Sequence, residues 1–221
     1  MNRVLVSVEG QTEETFVREV LSKYLWDFNV SLESVTITTH RVKQGPNFKG
    51  GVLSYAQASR EIRRLLNDSN AIAVTTMYDL FHLPRDFPGQ QDTRPGGDGR
   101  AKARHLENAF QQDIGSRRFR PYLQVHEFEA LLFVNPTRTA SLFTGVNDLA
   151  RELQNIREDF PTPEDINDNP MTAPSRRILT LYPRYEKPLY GTIIALEVGL
   201  DAIKAECPHF NEWLAWLEGL G

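Results

Sequence analysis

Acidic side chains recur wherever the sequence pattern ends an apolar run in a turn. Glu9 follows Val4-Leu5-Val6-Ser7-Val8, Asp79 follows the run from Ala71 to Tyr78, and His126, Glu127 and Glu129 stand at or just after Tyr122-Leu123-Gln124-Val125. Carboxylates at the ends of neighbouring strands form a cage for Mg²⁺ or Mn²⁺, hard cations that prefer carboxylate oxygen and water. An acidic residue after a strand also serves as an ordinary turn residue or helix N-cap. Recurrence at separate strand ends is what favours a shared ion. His126 reads either as an added ligand or acid, or as a histidine merely hydrogen-bonded at a strand end. His126-Glu127 is not a zinc-protease motif, because Ala130 stands where helical spacing requires the second histidine.

The elements that must position these groups follow from periodicity. A first buried strand through Val8 gives way at Glu9-Gly10 to a helix in which Phe16, Val17, Val20, Leu21, Tyr24 and Leu25 recur, with Thr12 as its expected N-cap. A second strand is expected over 35–39, then a Gly- and Lys-containing segment over 41–51 and a helix striped by Tyr55, Ala58, Ile62, Leu65 and Leu66. The third strand, from Ala71 to Met77, is the clearest in the chain. A Pro/Gly-rich stretch over 80–100 is too long for an idle connection and is expected to be functional. A helix through Leu106 and Phe110 leads to a fourth strand over 122–126 and a short helix over 127–133. Beyond that, helices are expected over 146–156, 192–206 and 210–220.

This alternation predicts an α/β fold: a mainly parallel sheet flanked by helices, because right-handed crossovers between parallel strands must cover its faces. Residues 1–135 form the expected core and 136–221 a mostly helical extension packed on it, one domain overall. In such sheets the site lies beyond the carboxyl ends of the strands.

Composition bounds the function. Hydrophobic residues at 40% and charged residues at 24% are ordinary for a globular protein and argue against a disordered or fibrous one. Cys207 is the sole cysteine, which excludes an internal disulfide or cysteine-based zinc cluster. No apolar run is long enough to span a bilayer, and Met1-Asn2-Arg3 leads into a strand without a signal-peptide pattern, so a cytoplasmic protein with no membrane partner is expected. A net charge of −4 excludes gripping nucleic acid by overall charge. Local clusters, a metal or a partner must do so.

Val8-Glu9-Gly10-Gln11-Thr12-Glu13-Glu14 resembles the opening motif of the Toprim fold of topoisomerases, primases and overcoming-lysogenization-defect nucleases. The resemblance implies that Glu9 is a metal ligand or general acid/base and that Asp79 carries the second acidic motif. Met77-Tyr78-Asp79 with Leu83-Pro84 and Phe87-Pro88-Gly89, the block from His126 to Phe133, and Cys207-Pro208-His209-Phe210 identify the chain as a member of the bacterial family called domain of unknown function 4276. That resemblance implies a Toprim-like, Mg²⁺- or Mn²⁺-dependent nuclease of DNA or RNA, encoded beside an ABC-type ATPase partner in anti-phage defence loci. The Toprim Asp-x-Asp pattern is here Asp79-Leu80-Phe81. Either Glu127, Glu129 or Asp86 replaces the second aspartate, or metal binding is weak.

Under this reading Glu9, Asp79, Glu127 and Glu129 hold the metal, and His126 assists. Basic groups at Arg41, Lys43 and Lys49, and at Arg100, Lys102 and Arg104, are expected on the same edge as nucleic-acid contacts; the alternative for each is a solvated face. Arg176, Arg177 and Lys187 form a third group, and Arg117, Arg118 and Arg120, expected at the opposite edge, suit partner docking or solubility. The competing function is a non-catalytic module that binds the ATPase and relays its state. No phosphate-cradling Gly-x-x-x-x-Gly-Lys motif is present.

Overall fold

The structure, a computed structural model, describes residues 1–37, 52, 54–93, 97–167 and 171–221. In chain order it contains β1 (Asn2–Val8), α1 (Gln11–Phe16), a π-helical turn (Val17–Leu21), α2 (Ser22–Leu25), β2 (Val30–Thr36), α3 (Tyr55–Leu66) and β3 (Ala73–Asp79). There follow α4 (Gly99–Ile114), β4 (Phe119–Arg120), β5 (Leu123–Gln124) and a 3₁₀ stretch (Phe128–Val134). The remainder is helical: α5 (Pro136–Ser141), α6 (Leu149–Glu158), α7 (Pro174–Leu181), α8 (Lys187–Val198), α9 (Leu200–Glu206) and α10 (Pro208–Glu218).

The strand order is β2-β1-β3-β4, with β5 also on β3, and each of these ladders is parallel. The expected parallel sheet flanked by helices is therefore observed. Side chains alternate across the central strands: Val4, Val6, Val8, Ala73 and Met77 join one core cluster, Leu5, Val74 and Tyr78 the other. Helices α3 and α4 cover the second face, through Ile62, Leu65, Leu106 and Phe110. The first face is covered by α1, by Leu131 and Leu132 of the 3₁₀ stretch, and by C-terminal helices, with Ile194 of α8 and Trp213 and Leu214 of α10. Burial on both faces explains why β1 and β3 read as continuous apolar runs. Each such Val or Leu contributes about 1.5–3 kcal/mol on leaving water.

Several boundaries depart from expectation. β2 begins at Val30, because Val30 and Leu32 already face the core, and of the expected strand only residues up to 37 are described. The fourth strand is split into β4 and β5 by Pro121, which has no N–H for the ladder. Thr76 Oγ1 bridges the gap, accepting from the Tyr122 N–H and donating to the Tyr122 carbonyl, both at 2.9 Å. Gly10, rather than Thr12, caps α1, and Thr12 is buried. The early C-terminal helix runs from Leu149 to Glu158, and the expected helix over 192–206 is broken by Gly199, whose φ of 89° a non-glycine residue rarely adopts. Helices α5 and α7, of six and eight residues, are too short for helical periodicity to mark.

Candidate metal centre

Parallel strands deliver their carboxyl ends to one edge. β1 leads into Glu9 and β3 closes on Asp79, and the pairing Val8 with Met77 keeps both at the same level. Glu9 Oε1 accepts a 2.8 Å hydrogen bond from the Asp79 N–H, so the two acidic side chains converge. Behind them, His126 adopts a left-handed φ of 63°, and its carbonyl accepts from the Phe81 N–H at 3.0 Å. That kink ends β5 and returns the chain toward β3. The Phe128 N–H consequently donates to Asp79 Oδ1 at 2.9 Å.

His82 completes the centre. The turn Leu80–His82 brings its imidazole back toward the strand end, and one ligand atom each from Glu9, Asp79 and His82 lie within 4.8 Å of one another. His82 Nδ1 stands 3.8 Å from Asp79 Oδ2, and Nε2 stands 3.9 Å from Glu127 Oε1. Glu9 and Asp79 are buried while His82 is half exposed, so the triad opens to solvent on the histidine side.

A second ring of charge surrounds the triad. Lys187, the first residue of α8, places Nζ 2.9 Å from Asp79 Oδ2, 3.0 Å from Glu13 Oε1 and 3.4 Å from Glu129 Oε2. Among the described residues, Glu13 Oε1 has that ammonium as its charge partner and no further hydrogen-bond donor. Glu127 Oε2 accepts from the Ser175 N–H at the start of α7, and Glu129 Oε1 from the Tyr185 hydroxyl at 3.4 Å. Glu9, Glu13, Asp79, Glu127 and Glu129 are all buried, against one lysine and one half-exposed histidine among the described residues.

Burial, Asp79 and Glu13 together push the Glu9 carboxyl well above its ordinary range. Burial pushes Glu129 up to about 7, with Asp79 and Glu127 adding to it and Lys187 opposing. Burial would raise Asp79 too, but Lys187 and His82 outweigh it and hold that carboxyl low. Burial would lower Lys187, yet Asp79, Glu129 and Glu13 keep it firmly charged. His82 is raised by Asp79 against the opposing effect of burial. Carboxyls crowded out of water at this density must either keep protons or take up a cation. The donor set fits one: carboxylate oxygens suit Mg²⁺ or Mn²⁺, and the imidazole adds a nitrogen donor.

Among the residues singled out from sequence, Glu9, Asp79, Glu127 and Glu129 are brought together. The His126 ring lies elsewhere, its Nδ1 3.3 Å from the Asn167 amide and its ring against Gly99 at the start of α4. Asp86, the alternative ligand, accepts from the Tyr55 N–H at the start of α3. Arg100 follows Asp98, the N-cap of α4, and pairs with Asp165 at 3.4 Å, while Lys102 lies one turn into the same helix, half-buried. Arg41, Lys43 and Lys49 lie outside the described residues. Arg118 is not a docking group: it donates to the carbonyls of Asp68, Ala71 and Leu66 below α3. Sequence reasoning missed His82, Glu13 and the role of Lys187.

Residues 8–218 match the family described as Domain of unknown function (DUF4276). The chain belongs to that family. No curated protein matches this DUF4276 chain. Among solved structures it is similar to the C-terminal region of the Burkholderia pseudomallei OLD protein, at 17% identity and a TM-score of 0.48 over 100% of both chains. It is also similar to the C-terminal region of the Xanthomonas campestris pv. campestris OLD protein, at 15% identity and a TM-score of 0.42, covering 98% of each chain. No helix among the described residues is long and apolar enough to cross a membrane.

Proposed function

We propose that this DUF4276 chain is a divalent-metal-dependent nuclease that cleaves nucleic-acid phosphodiesters, acting as a defence effector with an ABC-type ATPase partner. One observation carries the reading: Glu9, Asp79 and His82 offer ligand atoms within 4.8 Å of one another at the carboxyl edge of a parallel sheet, inside a wider cluster of buried carboxylates. The Toprim-like motif around Glu9 supports the same chemistry, and the family resemblance supports the defence setting.

Asp79, Glu9 and His82 would hold Mg²⁺ or Mn²⁺, which supplies Lewis acidity toward a phosphodiester and lowers the pKa of bound water. Lys187 keeps Asp79 ionised and so ready to ligate. Glu9, raised by burial and by its acidic neighbours, has the general base as its alternative role, in place of ligating the ion. Glu127 and Glu129 add negative charge behind the triad, where the missing second aspartate would otherwise act. Arg100 and Lys102 at the start of α4 are offered as phosphate contacts on the same edge. Residues 1–135 and 136–221 would act as one unit, since Lys187 from the latter reaches Asp79 in the former.

The test is incubation of the purified protein, alone and with its ATPase, with DNA and tRNA in Mg²⁺ or Mn²⁺. Cleavage should require metal and disappear in Glu9→Ala and Asp79→Ala; cleavage that persists in both variants would refute the assignment.

A second reading, a non-catalytic module that relays the state of the ATPase, draws on Lys187. Its ammonium already contacts Asp79 Oδ2, an oxygen that a metal would need. Calorimetric titration with Mn²⁺ separates the two, because only the nuclease reading requires the ion to bind.

A further inference from the structure

We infer that Phe81 is a base-stacking residue beside the metal centre, so that the substrate presents an unpaired nucleobase next to the scissile phosphate; this rests on the nuclease reading and names its substrate class. Large apolar aromatic side chains exposed among the described residues are Trp26, Phe28 and Phe81. Trp26 and Phe28 precede the first residue of β2 and therefore sit at the edge opposite the carboxylates. Phe81 alone of these stands at the carboxyl edge, two residues past β3.

Its placement is fixed rather than incidental. Leu80 and Leu83 on either side are buried, and the Phe81 N–H is tied to the His126 carbonyl at 3.0 Å. The ring packs edge-to-face with the His82 imidazole, centroids 5.5 Å apart and planes at 81°. His82 is itself a member of the triad. A flat apolar surface is thus held one side chain away from the groups that would bind a phosphate, with 38% of the residue open to solvent. A scattered exposed phenylalanine is unremarkable in a soluble protein. One anchored beside the candidate metal centre has a specific partner available, since a phenyl ring offers a phosphate nothing but offers a base an apolar surface to stack on. Within a duplex that face is already stacked on neighbouring bases, so a rim residue reaches only a base that is unpaired or extruded.

The test compares wild type, Phe81→Ala and Phe81→Trp by fluorescence anisotropy in Ca²⁺, using a short labelled thymidine strand, its duplex, and a strand of the same length with every base removed. Wild type should bind the base-bearing strand roughly five- to hundredfold tighter than the abasic one. Phe81→Ala should lose that factor on the base-bearing strand and nothing on the abasic strand, and Phe81→Trp should keep it. Equal binding of the two strands by wild type, equal weakening on both by Phe81→Ala, tighter binding of duplex than of single strand, or no binding at all would overturn the inference. The two readings fail separately. Metal-dependent cleavage of duplex and single strand at equal rates would leave the nuclease standing without the stacking role, whereas base-dependent binding through Phe81 without cleavage in Mg²⁺ or Mn²⁺ would do the reverse.

Discussion

Lys187 Nζ lies 2.9 Å from Asp79 Oδ2, joining residues 108 positions apart and tying the first turn of α8 to the end of the central strand. The same ammonium faces Glu13 and Glu129, so it is the main internal counter-charge of the acidic centre. Lys187→Met keeps the stem and removes the charge. Loss of one partner of a fully buried pair costs about 3–5 kcal/mol; with the Lys187 side chain 29% exposed, about 2–3 kcal/mol is expected. Mn²⁺ should then raise the melting temperature of Lys187→Met more than that of wild type, because the ion replaces the missing charge. Calorimetric melting with and without Mn²⁺ checks this, and equal stabilisation of both proteins would contradict it.

The pH dependence follows from Glu129 and Glu9. Glu129 is pushed up to about 7 in the folded protein, against an ordinary glutamate value near 4.5 in the unfolded chain. A carboxyl with a raised folded pKa favours folding while protonated, so its contribution is complete below about pH 4.5 and is lost as pH rises through about 7. For Glu129 that contribution is on the order of 3 kcal/mol. Metal-free protein should therefore lose stability between pH 5 and pH 8. Mn²⁺ affinity should move the opposite way, rising over the same interval as protons cease to compete, with protons released on binding. Titration in buffers of differing ionisation enthalpy at pH 6, 7 and 8 measures both. An affinity independent of pH with no proton release would show that these carboxyls do not face the ion.

His82 offers a cleaner probe of the ligand set, because its side chain is 52% exposed and holds up little of the core. His82→Ala should leave the melting temperature of the metal-free protein nearly unchanged. Mn²⁺ affinity should fall by at least roughly tenfold, the loss typical even of groups that only orient a metal's ligands. An unaltered affinity would remove His82 from the centre.

The contrast between candidate residues visible in the sequence and those visible only in the fold has a physical origin. Glu9 and Asp79 were legible because each ends an apolar run, and in a parallel sheet the ends of such runs share an edge. Glu127 and Glu129 followed from the same logic. His82 was hidden because a single 3₁₀ turn returns it to Asp79, and nothing in the Pro/Gly-rich sequence fixes that turn. Glu13 reads as an ordinary first-turn acid of a helix, a place where the helix dipole already accounts for it. Lys187 was hidden by distance along the chain: its role depends on how α8 packs against α1, which local periodicity does not encode. Pro121 was visible, yet the rescue of the broken ladder by the Thr76 hydroxyl needed the register of β3.

Packing of α8 on α1 can be tested where the two approach most closely. Gly191 lies within α8, where exchange of glycine for alanine ordinarily stabilises a helix by about 1 kcal/mol. Here the new Cβ would stand 2.8 Å from Thr12 Cγ2 and 3.2 Å from Phe128 Cε1. Thr12 is held in α1 and Phe128 is fully buried beneath the metal centre, so neither yields without disturbing the core. Overpacking of this kind costs about 1–3 kcal/mol, enough to reverse the sign of the helix gain. Gly191→Ala is therefore expected to lower the melting temperature by a few degrees, at about 2–4 °C per kcal/mol for a chain of this size. It should also weaken Mn²⁺ binding, because Lys187 lies one turn earlier on the displaced helix. Thr12→Ser removes the obstructing methyl, so the double variant should regain part of both losses. Gly191→Ala melting at or above the wild-type temperature would mean that α8 does not press on α1 and that Lys187 is placed by something else.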